Sequence, residues 1–198
     1  MVNKKERIIT VFGSSRPREG HADYESAREL GRRLAERGFA VCTGGYGGTM
    51  EGVSRGAKES GGRVIGVTAR AFGAKTNRWV DEEIRMDTWQ ERLFELIRRG
   101  DGYVACKGGT GTLVELAVVW EMQNKGLMGR KKPFVVLGEF WTPVIECVRE
   151  VERDRHSACG ETEDALVQVA ATPEAAADSL AHRLLDTTES KGAPAPPT

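Results

Sequence analysis

Short apolar runs that end in glycine constrain this chain more than any other feature. Ile8–Phe12 leads into Gly13-Ser14, and Phe39–Thr43 leads into Gly44-Gly45-Tyr46-Gly47-Gly48. Gly102–Cys106 leads into Lys107-Gly108-Gly109-Thr110-Gly111. Runs this short and this continuous read as strands buried on both faces. Val64–Thr68, Phe134–Leu137 and Leu166–Val169 read the same way, and Glu83–Met86 reads as a short edge strand. Between the runs, apolar residues recur at helical spacing. The faces are Ala27, Leu30, Gly31 and Leu34; Met50, Val53 and Ala57; Trp89, Leu93, Leu96 and Ile97; Leu113, Leu116, Ala117 and Trp120; and Trp141, Val144, Ile145 and Val148. Thr172-Pro173 sets an N-cap and a proline at the first helical position of one more helix. The stretch 69–81 is polar, without periodicity, and reads as a loop. Strands alternating with helices predict an α/β, Rossmann-like, doubly wound and mainly parallel sheet with helices on both faces.

In such sheets a ligand sits in the crevice beyond the carboxyl ends of the strands. The glycine clusters fall at those ends. In Lys107–Glu115, glycines let the backbone turn sharply and let a ligand approach without a Cβ in the way. A helix beginning near Gly111 or Thr112 presents unpaired N–H groups and the positive end of its dipole. Gly108, Gly109, Thr110, Gly111 and Thr112 therefore make a candidate phosphate cradle, with hydroxyls from the two threonines. Glu115 follows about one turn into that helix. Its plain reading is a carboxylate that complements the dipole or caps the helix. The turn is not a Walker loop, because no lysine and hydroxyl follow its glycines in that pattern. Nor is it a dinucleotide fingerprint: the third glycine position is Val114 here and Met50 in the earlier cluster.

Composition narrows the class. A chain of 198 residues predicts a single nucleotide-binding domain over 1–188, followed by a disordered tail at 189–198. Basic and acidic residues balance at 29 each, which gives no support for broad binding to nucleic acid or an acidic membrane. Cys42, Cys106, Cys147 and Cys159 form no C-x-x-C pair, so neither a metal site nor a disulfide framework is expected. No run approaches the length of a membrane span, and Met1–Arg7 resembles no signal peptide. A cytoplasmic protein is the resulting expectation.

The stretch Gly108-Gly109-x-Gly111-Thr112-x-x-Glu115 resembles the P-G-G-x-G-T-x-x-E signature of the Lonely guy family. These are cytokinin riboside 5′-monophosphate phosphoribohydrolases and bacterial relatives, long mislabelled as lysine decarboxylases. Val11-Phe12-Gly13-Ser14-Ser15, Thr43–Gly52 and Gly62–Val67 resemble further parts of that family, and the likeness runs from about Ile8 to Val148. The resemblance implies hydrolysis of the N-glycosidic bond of a nucleoside 5′-monophosphate, such as AMP or a cytokinin riboside monophosphate. It implies no cofactor. It places the catalytic pair on Arg92 and Glu115. Substrate and phosphate binding fall on Gly13, Ser14, Gly45, Gly108, Gly109, Thr110, Gly111 and Thr112. Without the resemblance, Arg92 reads as a solvated helix charge. Two positions depart from the family pattern: Lys107 replaces the signature proline, and Leu93 replaces a basic residue. They leave open a non-catalytic carrier or sensor of a nucleotide-like ligand, as molybdenum-cofactor carriers of similar fold are. The resemblance also implies a homodimer or higher homo-oligomer. Val118, Val119, Trp120 and Met122 spread apolar surface around more than one face of the helix from Leu113.

Overall fold

The computed structural model describes residues 6–129, 131–156 and 166–185. The expected tail at 189–198 and Cys159 lie outside them. The strands are β1 (Ile8–Phe12), β2 (Ala40–Thr43), β3 (Val64–Ala69), β4 (Glu82–Met86), β5 (Gly102–Ala105), β6 (Phe134–Leu137) and β7 (Val167–Ala170). The helices are α1 (Ala22–Glu36), α2 (Thr49–Glu59), α3 (Trp89–Arg99), α4 (Thr110–Asn124), α5 (Thr142–His156) and α6 (Pro173–Leu185). The strands form one seven-stranded sheet in the order β4-β3-β2-β1-β5-β6-β7. Every pairing is parallel. The Rossmann-like, doubly wound architecture expected from the sequence is what the chain forms.

Period-two side-chain alternation splits the core. Ile9, Val11, Val41, Val64, Val104 and Val135 point to the side that buries Leu30 and Leu34 of α1, Val53 of α2 and Leu180 of α6. Phe12, Ile65, Val67, Tyr103, Phe134 and Val136 point to the other side, against Leu96 of α3, Val119 of α4 and Ile145 of α5. Strand order reverses between β1 and β5. There the connection after β1 leaves toward α1 and the connection after β5 toward α4, which opens the crevice.

Several boundaries move. β2 starts at Ala40, because Phe39 follows a tight turn at Gly38 (φ 78°) and its N–H still bonds Leu34 O of α1. β7 starts at Val167 and not Leu166. The buried face of α4 is Thr112, Leu116, Val119, Trp120 and Gln123, with Leu113 and Ala117 turned outward. Trp89 at the start of α3 is exposed too, and the buried row there is Arg92, Leu93, Leu96 and Ile97. The loop 69–81 opens with a single 3-10 turn, Arg70–Phe72, capped by Gly73 at φ 61°. It is then fastened down: Asn77 N donates to Gly45 O at 2.7 Å, and Asn77 Nδ2 donates to Tyr46 O at 3.0 Å.

Candidate functional site

Helix starts separate the candidate site from the rest of the chain. α1 is capped by His21, α3 by a Thr88–Glu91 capping box, and α6 by Thr172. α2 and α4 start on glycines, Gly48 and Gly109, with no side-chain cap. At α4 the uncapped start leaves backbone N–H donors open for a ligand, whereas at α2 the Ser14 carbonyl already accepts from Thr49 N. The first turn of α4 also holds no acidic residue that would compete for them.

The turn before α4 divides its labour. A Cβ at Gly108 would overlap the Thr112 side chain, which is buried against it. Gly109 and Gly111 face open space, and they are exposed together with Thr110. The exposed arc Gly109-Thr110-Gly111 is thus the accessible part of the seat, while Gly108 and Thr112 shape it from below. Gly13 and Ser14 close the β1 side. Ser14 N donates to Lys107 O at 3.3 Å, Thr49 N donates to Ser14 O at 2.8 Å, and a Cβ at Gly13 would meet Thr49 Cγ2 at 2.5 Å. These bonds tie three loops at the switch point. Gly45 has φ 76°, its N–H donates to Thr43 Oγ1, and its carbonyl accepts from Asn77, so its polar groups are engaged within the chain.

Arg92 and Glu115 lie 23 residues apart and meet across α3 and α4. Arg92 Nη1 stands 3.8 Å from Glu115 Oε1, with side chains 7% and 14% exposed. Arg92 Nε donates to Val67 O at 2.9 Å. The guanidinium carbon lies 5.5 Å from the Tyr46 ring centre and 5.6 Å from that of Phe72. A Cβ at Gly44 would overlap Arg92 Nη2, so the residue there has to be glycine for this packing. Arg92 is therefore not a solvated charge, and Glu115 makes no cap to the start of α4.

An arginine beside a carboxylate ordinarily favours its ionised form. Burial instead pushes Glu115 up to about 7, and Arg92 offsets this only in part. Burial also lowers the guanidinium from its usual range, opposed by Glu115. The 3.8 Å gap is too long for a hydrogen bond, which is why the pair fails to cancel its own desolvation.

Both departures from the family pattern acquire a place. Lys107 Nζ lies 3.4 Å from Asp23 Oδ2 and 5.8 Å from the Phe140 ring centre. Its charge serves the α1 side of the crevice, beside a cavity of about 230 Å³ that Asp23, Ser26, Thr49 and Glu139 also line. Leu93 is buried among the apolar residues beneath α3. The sequence did not reveal Tyr46 and Phe72 at the site. Phe72 belongs to a stretch without periodicity, and only Tyr46's position inside a glycine cluster hinted at a role. Among the described residues no three metal-ligating side chains gather. No described helix is long and apolar enough to cross a membrane.

Fold and switch-point geometry define the class: a Rossmann-like α/β protein with an open, glycine-built seat and a buried Arg–Glu pair. Comparison with known proteins then fixes the family. The model of the SLOG cluster 4 family matches residues 6–167, and the chain belongs to that Lonely guy-type family. It is 34% identical over 148 residues to the cytokinin riboside 5′-monophosphate phosphoribohydrolase LOG of Oryza sativa subsp. japonica, covering 72% of this chain and 60% of that protein. It is 31% identical over 137 residues to the cytokinin riboside 5′-monophosphate phosphoribohydrolase of Mycobacterium tuberculosis, covering 67% of this chain and 71% of that protein. Among solved structures, the molybdenum cofactor binding protein of Rippkaea orientalis matches with a TM-score of 0.70 at 25% identity, over 88% of this chain and 95% of that one.

Proposed function

We propose that this protein hydrolyses the N-glycosidic bond of a nucleoside 5′-monophosphate, releasing free base and ribose 5-phosphate. The observation that carries the reading is the buried Arg92–Glu115 pair on α3 and α4, with Glu115 on the same helix that opens with the uncapped Gly109–Gly111 turn. The names of the rice and mycobacterial relatives support it.

The chemistry follows from charge. Breaking the bond between C1′ and the base nitrogen builds positive charge on the ribose. The phosphate bound at the α4 turn fixes the sugar, and fixed geometry removes much of the entropic cost of reaction. Ionised Glu115 stabilises the developing cation and takes a proton from the attacking water. The water oxygen bonds C1′, and the bonding pair leaves with the base, which is then protonated. Arg92 holds ribose or phosphate oxygens and steadies the carboxylate. Because Glu115 titrates at about 7, activity should rise with pH through that value.

The test is chromatography of products from a panel of nucleoside monophosphates, AMP and cytokinin riboside monophosphates included. Glu115→Gln should abolish base release while AMP still binds. Full activity in that variant would end the assignment. A second reading, a carrier or sensor that binds without cleaving, draws on the likeness to the molybdenum cofactor binding protein and on Lys107 and Leu93. Binding across the panel without base release would favour it.

The same reading takes residues 1–188 as one domain and the protein as cytoplasmic. The free thiols Cys42, Cys106 and Cys147 suit a reducing compartment. It also takes the protein as a homodimer or larger homo-oligomer. Phe94 of α3 and Leu113 of α4 leave apolar surface exposed for a second copy. A monomer in light scattering at micromolar concentration would remove that element.

A further inference from the structure

A buried guanidinium normally depends on carboxylates for its partners. Arg92 has one carboxylate at 3.8 Å and one backbone carbonyl, Val67 O, at 2.9 Å. Much of its remaining surroundings is aromatic. Tyr46 comes from the turn after β2, Phe72 from the loop after β3, and the two rings meet edge to face at 5.9 Å. Their faces attract a cation electrostatically, and more strongly where water is excluded.

The loop that carries Phe72 is strapped at both ends to the turn that carries Tyr46. At one end the Tyr46 hydroxyl accepts from Ala69 N at 3.0 Å and donates to Ala69 O at 3.3 Å. At the other end Asn77 Nδ2 donates to Gly45 O at 3.2 Å and to Tyr46 O at 3.0 Å. Between the anchors, Phe72 stays 48% exposed, so its other surface faces solvent. Strap, rings and guanidinium form one unit. Displacing Phe72 takes away one of the two rings whose centres stand 5.5 and 5.6 Å from the Arg92 guanidinium carbon.

We propose that Tyr46 and Phe72, held by the Ala69–Asn77 strap, are positioning residues that fix the Arg92 guanidinium relative to Glu115. The proposal rests on the hydrolase reading for its effect on rate, but not for its effect on the ligand-free pair. The charged and titratable groups facing Arg92 are Glu115 from α4, the Tyr46 phenol and the Cys42 thiol of β2. Burial pushes the Cys42 thiol up to about 12, so it stays neutral across the working range. Glu115 faces Arg92, which lowers its pKa. A guanidinium that has drifted away lowers it less. The carboxyl midpoint therefore reports Arg92's position without any substrate.

The experiment compares Phe72→Leu, Phe72→Tyr and Asn77→Ala with the wild type, in full-length protein. Two quantities are read: kcat and KM for AMP, and the Glu115 carboxyl midpoint by ¹³C NMR in ligand-free protein. Phe72→Leu keeps apolar cover and loses the ring. It should cut kcat/KM about tenfold, the scale of a desolvated cation–π contact. It should also move the Glu115 midpoint upward. Asn77→Ala should shift both in the same directions, and Phe72→Tyr should restore both. If the midpoint stays at the wild-type value in Phe72→Leu and Asn77→Ala, the proposal is overturned, whatever happens to the rate. If the wild type releases no base from any nucleotide, the hydrolase reading fails, and the midpoint alone decides the positioning role.

Discussion

Glu115 carries a proton to higher pH than an ordinary carboxyl, and that has a consequence for stability. Its pKa is about 7 in the folded chain, against 4.5 for the group in water. The folded state therefore holds the proton more tightly than the unfolded state. The stabilisation this gives is fully present below about 4.5 and is lost as pH rises toward 7. A shift of this size corresponds to about 3 kcal/mol. Glu115→Gln does not titrate. Its stability relative to wild type should therefore improve by up to about 3 kcal/mol from acid to mildly alkaline solution, as read from urea unfolding on both sides of the window. A difference that stays flat with pH would show that the carboxyl is not desolvated. Gly44 makes the second residue-scale prediction. A methyl there would overlap Arg92 Nη2 and stand 2.7 Å from Met50 Sδ. Both are far ends of flexible side chains, so Gly44→Ala should fold. Its cost falls on function: a misplaced guanidinium should reduce turnover about a hundredfold. Kinetics beside a thermal melt would separate the two effects.

Helix packing explains other glycines. On α1 and α2, a Cβ at Gly31 would overlap Val53 O, one at Gly52 would stand 2.8 Å from Tyr24 O, and one at Gly56 would overlap Arg28 O. The two helices touch backbone to backbone along this row. Alanine in an open helix would gain about 1 kcal/mol over glycine. At Gly56 the clash is with a helical carbonyl that cannot swing aside, so Gly56→Ala should instead destabilise by about 2 kcal/mol. Denaturant unfolding measures the sign, and a more stable variant would refute the contact. Elements of this kind also show what sequence reading resolves. The central strands were legible because burial on both faces makes them continuously apolar. α4 was legible as a helix but not in its orientation. It is apolar all round, so spacing placed Leu113 and Ala117 inward where the fold buries Val119 and Gln123. The glycine seat and the Arg92–Glu115 pair were reachable from motif and resemblance. The aromatic setting of Arg92 was not, because it depends on a strap whose anchors, Tyr46 to Ala69 and Asn77 to Gly45, have no periodic signature.

At the scale of the molecule, the proposed phosphate seat sits where the sheet reverses direction, and its loops are bonded to one another through Ser14, Thr49 and Lys107. A ligand held there engages structure that exists only in the folded chain. Binding then raises the unfolding free energy by about 2.7 kcal/mol at a hundredfold excess over Kd. For a chain of this size that is a rise in Tm of roughly 5–10 °C. If the glycine turn supplies the grip, the phosphate and not the base should carry most of the shift. AMP should raise Tm most, ribose 5-phosphate should retain much of the rise, and adenosine should give little. Equal shifts from AMP and adenosine would place the grip elsewhere. Gly111→Asp isolates the seat. The position faces open space in the first turn of α4, so the new side chain meets no steric obstacle. A carboxylate there also complements the helix dipole, which is worth about 0.3–1 kcal/mol. The unliganded variant should melt at or slightly above the wild-type temperature. It should nevertheless lose the AMP shift, because its own negative charge occupies and repels at the place the phosphate needs. A variant that melts normally and still responds fully to AMP would separate the glycine turn from ligand binding altogether.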